Sequence, residues 1–300
     1  MKKREEKAIK KISLKFVVFI FFLLFLIFSG ISIKKSFIFS RPDRINIFKY
    51  DDDATLYSLS TKDSSHYVIK FNSNLKLLIP GGYGYYRVGA LGKLVKLEKN
   101  NDIFIRTISY STSSFIDRYF YPRRVSIYYK SENDKDIKML GLKEILFYKS
   151  NSSVWDKLYL LWKFFIIEKN KISNLEVFEK DNINKELFFD KDKFDEKYKG
   201  LFYQKTYRDE NKTVQILYSK DYNSAFIIGQ ILEGVGIRVV DISQKEPLSK
   251  NCAVWENSKK FSKTIMNLAS RFHCSLKNQK VEFSDIIFSL GNLENKWALK

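Results

Sequence analysis

A glycine-rich segment carries the clearest ligand chemistry in the sequence. Residues 80–92 read PGGYGYYRVGALG and contain five of the chain's twelve glycines. Because glycine adopts backbone conformations that other residues avoid, this density predicts a tight turn or a close approach to another group. The alternative is a tight hairpin that exposes three tyrosines and binds no ligand. The candidate ligand-binding residues of the segment are Gly82, Tyr83, Gly84, Tyr85 and Arg87.

The glycine-rich segment is not a nucleotide-binding loop. The pattern GxxxxGK[ST] is absent, and Gly82-x-Gly84 lacks the third glycine of a dinucleotide-binding fingerprint. The sequence therefore predicts no nucleotide cofactor.

Histidine and cysteine add little catalytic chemistry. The two cysteines, Cys252 and Cys274, have no CxxC spacing, and His273 is the single histidine near them, so no zinc site is predicted. His66 is expected to be structural rather than a catalytic base. In an oxidising compartment the cysteines can form a disulfide, and the alternative is two buried free thiols.

Residues 16–33 form an uncharged, mostly apolar run that predicts a membrane anchor. A helix of this length rises about 27 Å, close to the roughly 30 Å hydrocarbon core of a bilayer. Residues 1–15 carry seven Lys or Arg against two Glu, so the positive-inside rule keeps this head in the cytoplasm. Residues 34–44 form a tether. A cleaved signal peptide ending near residues 30–32 is the alternative, and either way the bulk of the protein is extracytoplasmic.

The net charge of +19 indicates an anionic partner. The head accounts for five of these charges (seven minus two), which leaves +14 on the rest of the chain. A membrane surface or an anionic polymer fits the predicted compartment, whereas nucleic acid does not. The abundance of Lys, Asn, Ile, Phe and Tyr is also the drift expected of an AT-rich genome, which explains part of the charge without a partner.

Short apolar or alternating runs predict a β-rich N-terminal domain over residues 45–167. Helices are expected at 88–97, from residue 115 and from residue 154. Strands are expected at 45–48, 55–59, 67–71, 75–79 and 125–129. The charge-rich residues 168–210 are predicted to form a linker.

The third of these helices carries an aromatic stripe. Its apolar residues recur at spacings of three and four: Trp155, Leu158, Leu161, Trp162, Phe165 and Ile166. Such a stripe is typical of a helix that faces a core. The alternative is a helix lying in the outer membrane interface, where Trp and Tyr are favoured.

Residues 211–293 predict a second, smaller domain. A strand–helix–strand pattern falls at 214–218, 224–233 and 237–242, and a second such unit, beginning at 253, precedes a final strand at 285–290. Two β-α-β units of this length make a helix-covered sheet. The predicted fold class is α/β, with an α+β N-terminal domain and a small β-α-β C-terminal domain behind one transmembrane helix.

The second domain resembles the LytR C-terminal domain of bacterial cell-envelope proteins over residues 210–292. The family's Asn-Gly turn is missing, because Tyr218-Ser219 stands in its place. The positions that match are Gly236-Ile237-Arg238-Val239, Asp285 and Leu290-Gly291.

The first half resembles a shortened LytR-CpsA-Psr domain, also called the cell envelope-related attenuator family. The similarity runs from INIFKYDDDATLYSL through YVIKFNSNLKLLIPGGYGYYRVGAL to FIDRYFYP. Full-length members transfer cell-wall polymers from polyprenyl pyrophosphate carriers onto the wall, and they share the order of cytosolic head, single span and external body. The resemblance implies that Arg87 is a basic ligand-binding residue and that Asp53 matches an early metal-binding acid.

The sequence departs from the active members of this family at one element. They carry Pro-Arg-Asp where this chain has Asn72-Ser73-Asn74, and neutral amides replace the charges that would grip pyrophosphate and help hold Mg²⁺. No catalytic residue is therefore predicted. The chain is expected to be a non-catalytic envelope protein that binds a wall polymer, a lipid-linked precursor or another envelope protein.

Two other functions stay open at this point. A divergent phosphotransferase would use Arg87, Arg106 or Arg123-Arg124 to grip pyrophosphate and residues 51–53 to hold Mg²⁺. An assembly factor would use the C-terminal domain only to contact other proteins.

Overall fold

The computed structural model describes residues 36–51, 54–129, 139–181, 186–246 and 250–299, together with positions 19, 22, 23, 30 and 32–34. The predicted head, residues 1–15, and most of the predicted anchor lie outside the described residues. Within the described part of the chain, no helix is both long enough and apolar enough to cross a membrane. The anchor and its orientation stay predictions.

The described residues form strands and helices distributed along the whole described part of the chain. The strands are β1 (Arg44–Lys49), β2 (Ala54–Ser60), β3 (His66–Phe71), β4 (Lys76–Ile79), β5 (Gly84–Arg87), β6 (Arg118–Tyr121), β7 (Lys149–Ser150), β8 (Ile172–Leu175), β9 (Glu179–Asp181), β10 (Leu187–Phe189), β11 (Thr213–Tyr218), β12 (Arg238–Gln244), β13 (Ala253–Glu256), β14 (Ser275–Asn278) and β15 (Ile286–Ser289). The α-helices are α1 (Phe37–Ser40), α2 (Leu91–Leu97), α3 (Asp102–Thr112), α4 (Leu142–Phe147), α5 (Val154–Ile166), α6 (Lys191–Tyr198), α7 (Lys205–Glu210), α8 (Tyr222–Gly234), α9 (Lys263–Phe272) and α10 (Leu293–Trp297).

The N-terminal body is built on a six-stranded mixed sheet with the order β7-β6-β1-β2-β3-β8. Strands β1 and β2 are buried along their whole length, because helices cover both faces of the sheet. On one face, Phe48 packs on Phe104 of α3 with ring centroids 5.6 Å apart. On the other face, Tyr57 packs edge-on against Phe164 of α5 at 5.4 Å. The predicted strands at 45–48, 55–59, 67–71 and 75–79 are confirmed.

The segment predicted as a linker is largely part of this body. Strand β8 pairs with β3 in the large sheet, and β9 and β10 join β4 and β5 in a second sheet of order β5-β4-β10-β9. The charged residues of 168–198 hide this role in the sequence, because these short strands bury few of their side chains.

Two further expectations for the first body are wrong. No helix begins at residue 115. The preceding helix α3 ends at Thr112, where Ser113 takes a left-handed conformation (φ 45°), and residues 118–121 form β6, parallel to β1. The strand expected at 125–129 is irregular, with the Tyr128 N–H bonded to the Gly89 carbonyl at 3.0 Å instead of to a strand.

The C-terminal body confirms both predicted β-α-β units. Its five-stranded sheet has the order β12-β11-β15-β13-β14, with β11 parallel to β12 across α8 and β13 parallel to β14 across α9. Cys252 and Cys274 form a disulfide with 4.9 Å between their Cα atoms. The mixed α/β class of the whole chain is confirmed.

The aromatic stripe predicted at residue 154 lies on α5, but the expectation that it faces the core is wrong. Trp162 and Phe165 are 55% and 89% exposed, and Leu158 and Ile166 are exposed with them. The core takes the opposite side of the helix, where Asp156 and Leu160 are buried. Hydrophobic periodicity locates a helix face, but it does not say what covers that face.

Candidate functional site

Strands β4 and β5 form a β-hairpin, and the glycine-rich segment supplies its turn, which contacts Ala298. Gly81, Gly82 and Gly84 all have positive φ. The N–H groups of Gly81 and Gly82 donate to the Ala298 carbonyl at 2.8 and 3.0 Å. The close approach that the sequence predicts is therefore made, and the group approached is a segment of the same chain.

The predicted ligand-binding side chains of the hairpin contact three different neighbours. Arg87 donates to the Tyr129 hydroxyl at 3.1 Å and stacks over its ring at 4.7 Å. Tyr85 packs edge-on against Phe188, with 5.0 Å between centroids. Tyr83 donates to Glu98 Oε2 at 3.2 Å, and burial and Glu98 raise the pKa of Tyr83. A ligand site on this hairpin stays a prediction.

The predicted acidic residue cannot be placed beside the hairpin, because Asp53 lies outside the described residues. Asp51, before it, pairs with Lys49 at 3.0 Å and accepts a hydrogen bond from Tyr148 at 3.3 Å. Among residues with described positions, no three His, Cys, Asp or Glu side chains are grouped to hold a metal ion. Asp52 and Asp53, the other two acids of the predicted Mg²⁺ site, lie outside the described residues, so that site stays a prediction.

A cleft of about 820 Å³ lies between the two bodies. Its walls come from α1 and the turn after it, from α3 and β6, and from α9 and α10 of the C-terminal body. The cleft carries an excess of positive charge. Its lining contains the basic residues Arg41, Lys62, Arg106, Arg118, Lys263, Arg271 and Lys296 and the acidic residues Asp43, Asp102 and Asp117.

Three of these cations are held by carboxylates. Arg271 pairs with Asp117, Arg118 pairs with Asp156 at 2.8 Å, and Lys62 pairs with Asp43. Burial alone raises the pKa of Asp43, but hydrogen bonds from Lys62 and Thr206 hold it below its ordinary value. These cations are structural, because their charges are already compensated.

Arg106 is different, because it is buried and forms no direct ion pair with a described carboxylate, and Asp102, one turn earlier on α3, acts on it only at longer range. Its Nη1 donates to the Lys296 carbonyl, while its Nε is buried and has no hydrogen-bond partner. Among the described residues, no carboxylate lies within ion-pairing distance of it. Burial lowers the pKa of Arg106, yet a guanidinium stays charged at neutral pH. A buried charge without a directly bonded carboxylate is costly, so this position favours an anionic ligand.

The hairpin and the cleft meet at Arg106. A Cβ atom on Gly81 would lie 3.0 Å from Arg106 Nη1 and 3.3 Å from the Lys296 carbonyl. From the sequence, Arg106 is only one of several candidate cations that would grip pyrophosphate in a transferase. A stronger signal was available, since Arg106 follows Ile103 by three residues on the same side of α3, a spacing that predicts burial.

Packing between the bodies fixes the shape of the cleft. Phe115 of the first body lies in the core of the second, with centroids 6.3 Å from Tyr207 and 6.2 Å from Phe272. Gly234 lies so close to the first body that a Cβ atom there would overlap the Ser113 carbonyl oxygen. Burial alone would lower the Arg271 pKa, but Asp117 and Tyr207 raise it overall. Arg271 thus keeps its charge at the interface.

No protein-family model and no curated protein matches the chain. Among solved structures, it is similar to TagV of Bacillus subtilis, with 13% identity and a TM-score of 0.38 over 53% of this chain and 95% of that chain. It is also similar to TagU of B. subtilis, with 9% identity and a TM-score of 0.37 over 53% of this chain and 95% of that chain. A third similar structure is described as LytR-CPS2A-psr family protein YwtF (TagT) with bound octaprenyl pyrophosphate lipid. It has 13% identity and a TM-score of 0.36 over 53% of this chain and 88% of that chain. At these identities and TM-scores, the likeness carries no conclusion about family or function.

Proposed function

We propose that the protein is a membrane-anchored, extracytoplasmic protein of the cell envelope. It binds a phosphate-bearing anion in the cleft between its two bodies, either an envelope polymer or its lipid-linked precursor. The observation that carries this proposal is Arg106, a buried guanidinium whose Nε has no partner, in a cleft where basic residues outnumber acidic ones. Guanidinium groups bind phosphate through charge-assisted, often bidentate hydrogen bonds.

The proposed role is binding rather than transfer. The residues that stand in place of the family's Pro-Arg-Asp element form a local turn, in which Asn72 Oδ1 accepts from the Asn74 N–H at 3.0 Å and the Ser73 carbonyl accepts from the Gly89 N–H at 2.9 Å. These neutral groups bring neither cation nor carboxylate to the site. The alternative transferase would need the acids at 51–53, and Asp51 is already paired with Lys49.

The location outside the cytoplasm has two supports. The apolar run at 16–33 behind a basic head predicts the anchor and its orientation. The disulfide between Cys252 and Cys274 fits an oxidising compartment, because such bonds rarely persist in the cytosol.

Native mass spectrometry tests the proposed binding. The full-length protein is extracted in detergent, mixed with polyprenyl pyrophosphate, and compared with the Arg106→Gln variant. Loss of one charge-assisted contact weakens binding about tenfold or more, and inorganic pyrophosphate competes with the lipid. The control is Arg238→Gln, an exposed arginine on β12 that leaves binding unchanged.

The same experiment separates the cleft from the hairpin. If Arg87→Gln abolishes binding and a folded Arg106→Gln protein retains it, the ligand lies on the hairpin face and the cleft proposal is wrong. Thermal unfolding of each variant shows whether it is folded. Arg106→Lys keeps the charge and is expected to retain part of the affinity.

A further inference from the structure

Helix α5 has an exposed apolar face at helical spacing. We call Val154, Leu158, Trp162, Phe165 and Ile166 the apolar face of α5, and all five side chains are exposed. At about 100° per residue, they fall within one side of the helix. Soluble proteins rarely leave a contiguous patch of large apolar side chains in water, so such a face indicates a partner.

Two neighbouring helices extend this apolar surface. Helix α1 touches α5 on one side, where the rings of Phe37 and Tyr159 lie 6.1 Å apart. Helix α4 touches it on the other, where Lys157 Nζ donates to the Leu146 carbonyl at 3.2 Å. Both neighbours carry exposed apolar side chains of their own: Ile38, Phe39, Leu142, Leu146 and Phe147.

The chain itself holds this surface near the bilayer. Helix α1 begins four residues after the predicted span ends at Ile33, a separation of at most about 14 Å. The Phe37 N–H donates to Asp156 Oδ1 at 2.9 Å, and Asp156 also forms the N-terminal capping box of α5. The first residues beyond the predicted anchor are thus bonded directly to α5.

The composition around the face suits a membrane interface. Trp162 lies within it, and tryptophan favours the depth of the lipid headgroups. Lys163 Nζ lies 5.6 Å from the Trp162 ring centroid, as expected for a side chain that can reach toward headgroups. Residues 139–171 carry six Lys against three Asp or Glu, which favours anionic lipids.

We infer that the apolar face of α5 lies in the outer interface of the membrane that residues 16–33 cross. The inference rests on the anchor in the proposed function, but not on ligand binding in the cleft. This docking would hold the external body to the bilayer at a second point and so make the tether rigid. The cleft, which Phe37 and Arg41 line, would then open beside the membrane surface.

Tryptophan quenching in nanodiscs tests this docking. The full-length protein is reconstituted in phosphatidylglycerol with brominated acyl chains, and the emission of Trp162 is taken as the difference between the wild-type and Trp162→Phe proteins. The expected result is that brominated lipid quenches Trp162 and aqueous acrylamide does not. The double variant Leu158→Glu/Phe165→Glu, altered only at exposed positions, is expected to reverse this pattern.

A matched control is Leu97→Glu, another exposed apolar residue on a helix, which leaves the quenching of Trp162 unchanged. If acrylamide alone quenches Trp162, the face lies in water and the inference is wrong. If neither quencher reaches it, protein covers the face and the inference is also wrong.

Failure of the anchor gives a different result. A protein that alkaline carbonate releases from membranes has no span, and both the anchored location and the docking are then wrong. Carbonate-resistant protein without lipid quenching contradicts the docking alone.

Discussion

At the scale of single residues, a few buried polar groups connect the elements of the fold. Asp156 caps α5, accepts from the backbone of α1 and pairs with Arg118 of β6. Arg106 is the contrasting case, because its buried Nε has no hydrogen-bond partner and no described carboxylate pairs with it directly. The first arrangement serves stability, whereas the second favours a ligand.

Asp156→Ala tests the structural role of this carboxylate. The side chain is 1% exposed, and its loss leaves Arg118 and the Phe37 N–H without their partner. We expect the free energy of unfolding to fall by about 3 kcal/mol, the usual cost of breaking a buried ion pair. Urea unfolding of the full-length protein measures it, with the exposed Asp192→Ala as control. Equal stability of the two variants would contradict the role of Asp156.

His66 makes stability depend on pH. It is 7% exposed at the start of β3, and its Nδ1 is buried without a partner. Burial, with Lys163 and Arg44 nearby, lowers its pKa below the ordinary value of 6.5. The unfolded chain therefore binds the proton more readily, so the contribution is complete above pH 6.5 and is lost as pH falls through the lowered pKa.

We expect unfolding in urea to become easier as pH falls below 6.5, and His66→Gln to remove this part of the dependence. A wild-type protein whose stability does not change across that interval would show that the buried imidazole accepts the proton without cost.

At the scale of elements, the glycine hairpin joins the two bodies. Gly81 and Gly82 bond to Ala298, and Gly81 also packs against Arg106. Glycine is needed here for two reasons. The turn requires positive φ, and the C-terminal segment lies close to the backbone of the turn.

Gly81→Ala and Gly84→Ala separate these two requirements. Both positions have positive φ, so either alanine costs about 1 kcal/mol in backbone strain. Only at Gly81 does the added Cβ meet neighbours, Arg106 Nη1 at 3.0 Å and the Lys296 carbonyl at 3.3 Å, whereas Gly84 has no atom within 4 Å. We expect greater destabilisation at Gly81, together with faster hydrogen exchange in residues 293–299. Equal effects would show that the hairpin does not hold the C-terminal segment.

At the scale of the whole molecule, the two bodies share a core and enclose the cleft. Phe115 of the first body lies in the core of the second, and Asp117 pairs with Arg271 across the boundary. The cleft therefore exists only when both bodies are docked, and its lining includes residues of α1, next to the predicted anchor.

The orientation of the whole chain can be tested by protease protection. With epitope tags at both ends, external protease acting on spheroplasts should remove the C-terminal tag and leave the tag on the basic head, because the positive-inside rule keeps residues 1–15 in the cytoplasm. A cytosolic protein serves as the control for lysis. A protected C-terminal tag would contradict the extracytoplasmic location.

The local pattern of the sequence determined the element types and the α/β class. Strands β1 to β4 and the two β-α-β units follow from short apolar runs and from alternating or helical periodicity. The pattern failed where strands are short and charged, as in β9, or where burial is set by a distant partner, as in β6.

Tertiary structure alone decided which surfaces meet. The same periodicity placed an apolar stripe on α5. Only the tertiary structure shows that α1 and α4 pack beside this stripe without covering it. Likewise, the sequence located the glycine turn, but only the docking of the C-terminal segment on it brought Arg106 and Lys296 together. Periodicity and turn chemistry act over a few residues, whereas a cleft depends on contacts between residues nearly two hundred positions apart, such as Arg106 and Lys296 at a separation of 190.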